Sequence, residues 1–406
     1  MTLKPHQRTI WNPWFLLLCS LFLCLLWYFL GLFSTDTIYP DSLSYAAAAD
    51  GLWQHARGHD TRPIGMAFIH GIPFLWSNQL YANAWLINVL SWLVCQWFLF
   101  RLLRRRLSNQ WAFWLTLGTN TLVGLISSMP HLLSELPFMA LMMAAWDQFD
   151  LYDRKKDHRY LAVSLVLILF SMLVRPGMQF FGFLFLLCHL PVLWKSRSKR
   201  IFWPVYGVLL LIAGQFAGMK HQFGNARISY VDVITFYNYV GSKAVCLEKG
   251  QPYQQLHNPR ADYFYTLTYT DRVVVAKADF YTQLKQHPQL LLEAFLLNIF
   301  ENSTTGSIVV SDSALGKQHA WVHTLAQIQN VVFSVVGFFL ALFIVIKELF
   351  HKPWNPAFWM ALWVLYTLLS SGISSDQGDR MHLVCYLVIV VLVRLKNTLN
   401  QDFVAS

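Results

Sequence analysis

The sequence predicts an all-α integral membrane protein of about ten transmembrane helices, with interfacial helices in its first outer loop and one long outer segment. Three observations carry this reading. Of 406 residues, 56% are hydrophobic and only 13% are charged, against about 25% charged in an average soluble domain. The apolar residues form long runs divided by short polar stretches. The Lys and Arg residues behind the net charge of +10 sit in those stretches rather than along one face, which is how membrane proteins carry cytoplasmic charge and not how a nucleic-acid surface is built. Such a composition excludes a disordered chain and an ordinary soluble enzyme.

Each span must satisfy its own backbone hydrogen bonds, so spans are expected as helices of about 20 residues, or somewhat fewer where kinked. Ten segments fit: 11–33, 80–103, 111–127, 134–152, 160–174, 178–194, 201–217, 328–350, 354–372 and 381–395. The apolar run from Phe15 to Phe33 is too long for a secretory h-region, so the Ala46–Ala49 run is not read as a cleavage site. Five cysteines (Cys19, Cys24, Cys95, Cys188, Cys385) lie inside apolar runs and behave as small hydrophobes, which leaves no disulfide framework.

Orientation follows from the basic residues. With a cytoplasmic N-terminus, the inner segments hold eighteen of the 31: Lys4, Arg8, Arg101, Arg104–Arg106, Arg154–Arg159, Lys195–Arg200, Lys347, Lys352, Arg394 and Lys396. The short outer loops hold Arg57, Arg62, Arg175 and Arg380 only. That bias places both termini in the cytoplasm. Most acidic residues fall on the outer side, among them Asp36, Asp41, Asp50, Asp60, Glu135, Asp376 and Asp379. Insertion does not require that asymmetry, so the outer face is the place to look for carboxylate chemistry.

Two outer segments are substantial. The first, 34–79, contains an expected interfacial helix from Asp41–Ser42, with Leu43, Ala46, Ala47 and Trp53 for lipid, then an apolar piece, Ile64–Trp76, too short and too broken by Gly65, Gly71 and Pro73 to span. The second, 218–327, is rich in Tyr and Phe and contains an expected helix over 286–300 that begins near Pro288. The organisation is a seven-span module (1–217), the outer segment (218–327) and three C-terminal spans (328–406), without an internal repeat.

Tyr39-Pro40-Asp41-Ser42-Leu43-Ser44-Tyr45-Ala46 puts Asp41 and Tyr45 on one helical face. Asp41 reads either as the cap of the interfacial helix or as a general base at the membrane surface. An Asp on the first outer loop followed by Tyr-Ala resembles the opening of the GT-C glycosyltransferases, in particular the lipid A aminoarabinose transferases and protein O-mannosyltransferases, with Ser42 where those carry a second acidic residue. Arg62-Pro63-Ile64-Gly65, Ser134-Glu135-Leu136-Pro137, Val174-Arg175-Pro176-Gly177 and Gly378-Asp379-Arg380-Met381-His382 continue the resemblance in order.

The resemblance implies an inverting sugar transfer from a polyprenyl-phosphate donor to a hydroxyl of a lipid, glycan or protein acceptor, at the outer face of a bacterial inner membrane. Asp41 is then the base and Glu135 a second catalytic carboxylate. Tyr45, Arg62, Arg175, Arg380 and His382 bind substrate, a guanidinium being suited to a phosphate. Each has a plainer reading: Glu135 as a helix cap, Arg175 as a snorkelling anchor, Arg380 in an exposed pair with Asp379.

His55/His59 and His319/His323 are each four apart and could share a metal, but no third ligand completes either pair. No metal is expected to be required, although a divalent ion is possible. Asn302-Ser303-Thr304 is a sequon. There is no phosphate-binding Gly-rich loop, HExxH or GxSxG, and the short inner loops leave no room for a nucleotide site, which suits a lipid-linked donor. Neither nucleic acid nor a soluble cofactor is an expected partner. The alternatives are a flippase of lipid-linked saccharides, disfavoured by the lack of repeats and mid-membrane charge, and an O-antigen ligase or polymerase, for which Arg227, His257 and Arg260 are available.

Overall fold

The computed structural model describes residues 11–34, 38–255, 258–350 and 354–393. Lys4, Arg8, Asp36, His257, Lys352, Arg394 and Lys396 lie outside the described residues. The fold is all-helical, with no strand among the described residues. In chain order come α1 (Pro13–Phe29), α2 (Pro40–His55), α3 (Ile64–Gly71), α4 (Leu80–Arg104), α5 (Asn109–Gly118), α6 (Val123–Ile126), α7 (Glu135–Lys155), α8 (His158–Met172), α9 (Gln179–Lys195) and α10 (Trp203–Phe223). The segment that follows folds as α11 (Val231–Ile234), a π-helical stretch (Thr235–Gly241), α12 (Ser242–Glu248), α13 (Pro259–Thr266), α14 (Tyr269–Gln286), α15 (Pro288–Thr304), α16 (Ile308–Asp312) and α17 (Ala314–Gln318). Then come α18 (Ala320–Glu348), α19 (Pro356–Ser370) and α20 (Arg380–Leu383).

Among the described residues, five stretches are long and apolar enough to cross a membrane: Asn83–Arg104, Pro176–Lys195, Arg200–Phe223, Ala320–Glu348 and Pro356–Ile373. They make the chain a multi-pass membrane protein. The other expected spans differ in instructive ways. The run 111–127 reads as continuous, but the helix stops at Gly118 and a 3₁₀ turn, Thr119–Thr121, precedes the four-residue α6. Asn120 is the cause: its buried amide donates to Ser20 Oγ and Leu117 O and accepts from Trp92 Nε1, and its backbone carbonyl accepts from Trp27 Nε1. The tenth expected span has its own break, a turn at Val384–Cys385 between α20 and the helical residues 386–393.

Helix α7 is the axis of the bundle. It runs 21 residues, about 31 Å at 1.5 Å per residue, and is buried along most of its length between α4, α8 and α19. Trp146 on α7 meets Phe181 and Phe185 of α9 and Trp363 of α19 edge to face or tilted, at 6.1–6.3 Å. Glu135 opens the helix, and Asp147 and Asp150 lie near its far end. There Asp147 is held by Arg105 (2.5 Å) and Arg101 (3.2 Å), and Asp150 by Arg105 (2.8 Å), Arg154 (3.0 Å) and Arg106. This charged network ties α4 to α7 at the basic end.

At the opposite end the segment after α10 folds against the bundle. Met219, Tyr230, Tyr237, Phe264 and Val273 form its small core. The expected helix over 286–300 begins two residues later, with Pro288 in its first turn, and continues to Thr304. Asn302 is buried on it and donates to the carbonyls of Ser371 (3.0 Å) and Ser374 (2.7 Å), so the sequon amide is spent as a structural tie.

Candidate active site

Helix α2 starts where expected because Pro40, with its fixed φ and no N–H to lose, suits the first turn. It ends at Ala56 in a left-handed conformation (φ 50°), and the chain returns antiparallel as α3. Trp53 joins the two: its ring stacks on Phe68 and its Nε1 donates to Phe68 O. Leu43 is exposed, as expected of a lipid-facing side chain. Helix α3 is docked on the end of α8 through Met66 N, which donates to Leu173 O at 3.1 Å. Only glycine permits this approach, since a Cβ on Gly65 would stand 2.7 Å from the Leu173 oxygen.

The hairpin sets two charges side by side. Asp41 does not cap α2: the residue before the helix is Tyr39, and no side chain caps this end. Instead Asp41 Oδ1 accepts from Arg62 Nη2 at 2.8 Å and Oδ2 accepts from Arg380 Nη1 at 3.0 Å. Arg62 also donates through Nε to Ser44 Oγ (2.8 Å), and its guanidinium lies 4.1 Å above the Tyr45 ring, a cation–π contact. Burial pushes the Asp41 carboxyl up, but Arg380 and Arg62 outweigh it and hold it below its ordinary value of 3.8. Asp41 is therefore an anion at neutral pH.

Arg380 is the hub of the site. It is buried, and Nη1 donates to the Tyr39 hydroxyl at 2.8 Å as well as to Asp41. Its Nε and Nη2 lie 3.2 and 3.0 Å from Glu135 Oε1. The expected exposed pair with Asp379 does not form; the guanidinium turns to Asp41 and Glu135, while Asp379 is buried behind it against Gly124. Glu135 is the first residue of α7 and is almost fully buried. Its Oε1 is 3.6 Å from Arg175 Nη1, and its Oε2 has no hydrogen-bond partner among the described residues. Among the described residues Arg175 Nη1 likewise has no hydrogen-bond partner, and Nη2 reaches Met381 Sδ at 3.6 Å. Of the three guanidiniums, that of Arg175 is held least.

These groups line one cavity of about 420 Å³. Asp41, Ser44, Tyr45 and Arg62 come from the α2–α3 hairpin, Ser134 and Glu135 from the start of α7, and Arg175–Gly177 from the turn between α8 and α9. Ile373, Ser374, Gln377, Arg380 and Met381 come from the approach to α20, and Val231, Ile234, Thr235, Tyr239 and Tyr265 close the cavity from the segment after α10. Five segments spread over the whole chain thus meet at one point. Three guanidiniums face two carboxylates, and Asp60 adds a third carboxylate at the edge beside His59.

Other expected site residues lie elsewhere. His382 is fully buried in the bundle, with Nδ1 on Ser334 Oγ at 2.9 Å, because two helical positions, about 200° of rotation, separate it from Arg380. His55 pairs with Asp50, and His59 with Asp60 and Thr61; the left-handed Ala56 breaks the helix that would have aligned them. His319 precedes α18 and His323 lies on it, bonded to Ser311 Oγ. No group of three or more His, Cys, Asp or Glu placed for a metal occurs among the described residues. Arg227 pairs with Asp232 and Arg260 with Asp279. Sequence reasoning gave Tyr39 and Gln377 no role, and took Tyr239 and Tyr265 only as part of the aromatic outer segment 218–327. Of the first two, Tyr39 carried a signal, two residues ahead of Asp41.

No protein-family model and no curated protein sequence matches the chain. Among solved structures it resembles the archaeal oligosaccharyltransferase AglB from Archaeoglobus fulgidus in complex with an inhibitory peptide and a dolichol-phosphate (10% identity, TM-score 0.43, 97% of this chain and 51% of that one). It also resembles the A. fulgidus oligosaccharyltransferase in its apo form (10%, 0.48, 98% and 52%) and tethered with an acceptor peptide containing the NVT sequon (10%, 0.46, 98% and 51%). The chain spans about half the length of these proteins. They belong to the GT-C superfamily that the sequence motifs resemble. At 10% identity and TM-scores below 0.5, the likeness assigns no reaction and no residue role to this chain.

Proposed function

We propose that the chain is a membrane glycosyltransferase that moves a sugar from a polyprenyl-phosphate donor to an acceptor hydroxyl. The observation that carries this is the convergence of Arg62, Arg175 and Arg380 with Asp41 and Glu135 in one cavity at the end of a lipid-embedded bundle. Arg175, the guanidinium held least, keeps N–H capacity for the oxygens of a phosphodiester. A lipid-linked phosphate bound there would keep its chain in the bilayer.

In the reaction the acceptor oxygen attacks the anomeric carbon and its proton passes to Asp41. The anomeric carbon–oxygen bond breaks and the electron pair leaves with the polyprenyl phosphate, with inversion. A positioned base contributes about 10²–10⁴-fold, and guanidiniums fixed around the leaving oxygen stabilise its growing charge.

Paired with two arginines, Asp41 is a poor base, since they lower its proton affinity. The donor phosphate competes for the same N–H groups. Once it draws Arg62 or Arg380 away, Asp41 is released at the moment a base is needed. Arg175 and Glu135, each with an unpartnered polar atom at the cavity, are the groups for the phosphate and for the acceptor or sugar hydroxyls, respectively.

The bundle is read as ten crossings in a bacterial inner membrane, with the cavity outside, both termini inside, and a glycan, glycolipid or protein as acceptor. Because both carboxylates are already neutralised by guanidiniums, no resident metal is required and transfer survives chelation by EDTA. The deciding assay follows release of polyprenyl phosphate from a panel of polyprenyl-phosphate sugars by the purified protein in lipid, with membrane extract as acceptor. We expect release by the wild type and a loss of at least about 100-fold in a folded Asp41→Asn variant. Equal release by both removes Asp41 as the base, and no release with any donor removes the reaction.

A further inference from the structure

A second recess lies on the far side of the wall that closes the cavity. Along the turn 231–236, Val231, Ile234 and Thr235 face the catalytic cavity, whereas Asp232, Val233 and Phe236 line another hollow of about 200 Å³. One helical strand, about 10–12 Å across with its side chains, separates the two. The floor of the second recess is apolar, with Val273 and Ala276 buried in it. Its walls are aromatic: the Phe236 and Phe280 rings stand 5.4 Å apart at 60°, and Tyr281 projects with 66% of its surface exposed.

The rim is charged. Arg227 Nη1 donates to Asp232 Oδ1 at 3.0 Å, while its buried Nε has no hydrogen-bond partner among the described residues. Lys277 adds a second cation. A purely apolar ligand would not call for a paired Arg and Asp at the mouth, and a lipid chain would need a longer groove. Aromatic faces for sugar C–H groups, an Arg–Asp pair for neighbouring hydroxyls and room for about one ring describe a saccharide subsite. Two cations against one anion select a sugar that carries a carboxylate or a phosphate.

We infer that this recess holds an anionic sugar unit of a glycan acceptor, whose chain crosses the 231–236 turn to reach the catalytic cavity. The inference rests on the glycosyltransferase reading and narrows it, since it commits the acceptor to a saccharide rather than a bare lipid or a peptide. It also makes the enzyme selective at a distance from the reacting hydroxyl.

The test is binding, not turnover. The full chain in lipid nanodiscs is titrated with three probes: a galacturonic acid trisaccharide, galactose 6-phosphate and the neutral galactose trisaccharide. Saturation-transfer NMR and calorimetry are the readouts. The wild type is expected to bind the uronate at least fivefold more tightly than its neutral counterpart, and the phosphosugar arm tells which anion is preferred. Lys277→Glu, a surface change, abolishes that preference, and Tyr281→Ala weakens all three probes. Asp41→Asn leaves binding here unchanged. Equal binding of charged and neutral trisaccharides, no binding at all, or uronate binding indifferent to Lys277→Glu each overturns the subsite. If donor cleavage depends on Asp41 and yet no saccharide binds, the subsite fails and the transferase reading stands. If the uronate binds but no donor is cleaved, the reverse holds.

Discussion

Arg380 lowers the carboxyls of both Asp41 and Asp379, yet their net shifts are opposite because burial outweighs it at Asp379. The Asp41 anion has two guanidiniums within 3.0 Å, so its folded-state value is depressed. The stability it adds is therefore present above its unfolded value near 3.8 and is lost only as pH falls through the lower folded one. Asp379 is enclosed, with Oδ1 unpartnered, and burial pushes its carboxyl up to about 7 despite Arg380 nearby. Here the folded state binds the proton more tightly, so stability falls as pH rises from about 4 to about 7 and is level above that. Asp379→Asn removes that cost. We expect it to raise the apparent melting temperature more at pH 8 than at pH 5, by up to about 4 kcal/mol of stability at the higher pH. An equal gain at the two pH values would mean that Asp379 is not protonated in the fold. Arg380 itself tolerates no conservative exchange: a Lys cannot reach Tyr39, Asp41 and Glu135 together, because it lacks the planar fork.

At the level of elements, the α2–α3 hairpin fixes the distance between Asp41 and Arg62, and Gly65 is its tightest point. A methyl there meets Leu173 O at 2.7 Å and Leu173 Cβ at 2.9 Å, so α3 must lift away from α8. Gly65→Ala is expected to cost about 1–3 kcal/mol, the usual range for overpacking, and to reduce transfer beyond that loss because Arg62 moves with the hairpin. A variant with wild-type melting and activity would show that the docking of α3 is not what positions Arg62. The start of α2 was read to within one residue, from Asp41–Ser42 although Pro40 opens it, and the shortness of the return helix was legible in Gly71 and Pro73, since proline and glycine act through local backbone geometry. The break in the run 111–127 was not, because its cause is Asn120 bonding to Ser20, Trp27 and Trp92, all distant in sequence. The site divides the same way. Asp41, Glu135 and the three arginines stood out as charges at span ends, but their pairing across as many as 339 positions did not. His382 was misplaced because neighbours in sequence on a helix face different ways.

For the whole molecule, the two ends of the bundle are chemically distinct, and α7 measures the distance between them. Glu135 belongs to the cavity, and Asp150 is fifteen residues farther along, about 22 Å, so one buried helix joins the arginine-held carboxylates of the site to the arginine-held carboxylates of the basic end. Around that end lie Arg101, Arg104, Lys155, Lys156, Lys195 and Lys199, the charge that a cytoplasmic face accumulates. On that ground we propose that the cavity opens on the other side, where the donor would arrive attached to lipid rather than as a soluble nucleotide sugar. Orientation and donor class stand or fall together. Exposed Asp50 at the end of α2 and Lys199 between α9 and α10 report the two sides. In a Cys246→Ser background, a membrane-impermeant maleimide is expected to label Asp50→Cys in intact spheroplasts, and Lys199→Cys only after permeabilisation. The opposite pattern would turn the cavity toward the cytoplasm, where soluble sugar nucleotides become available as donors and the case for a polyprenyl phosphate loses its physical basis.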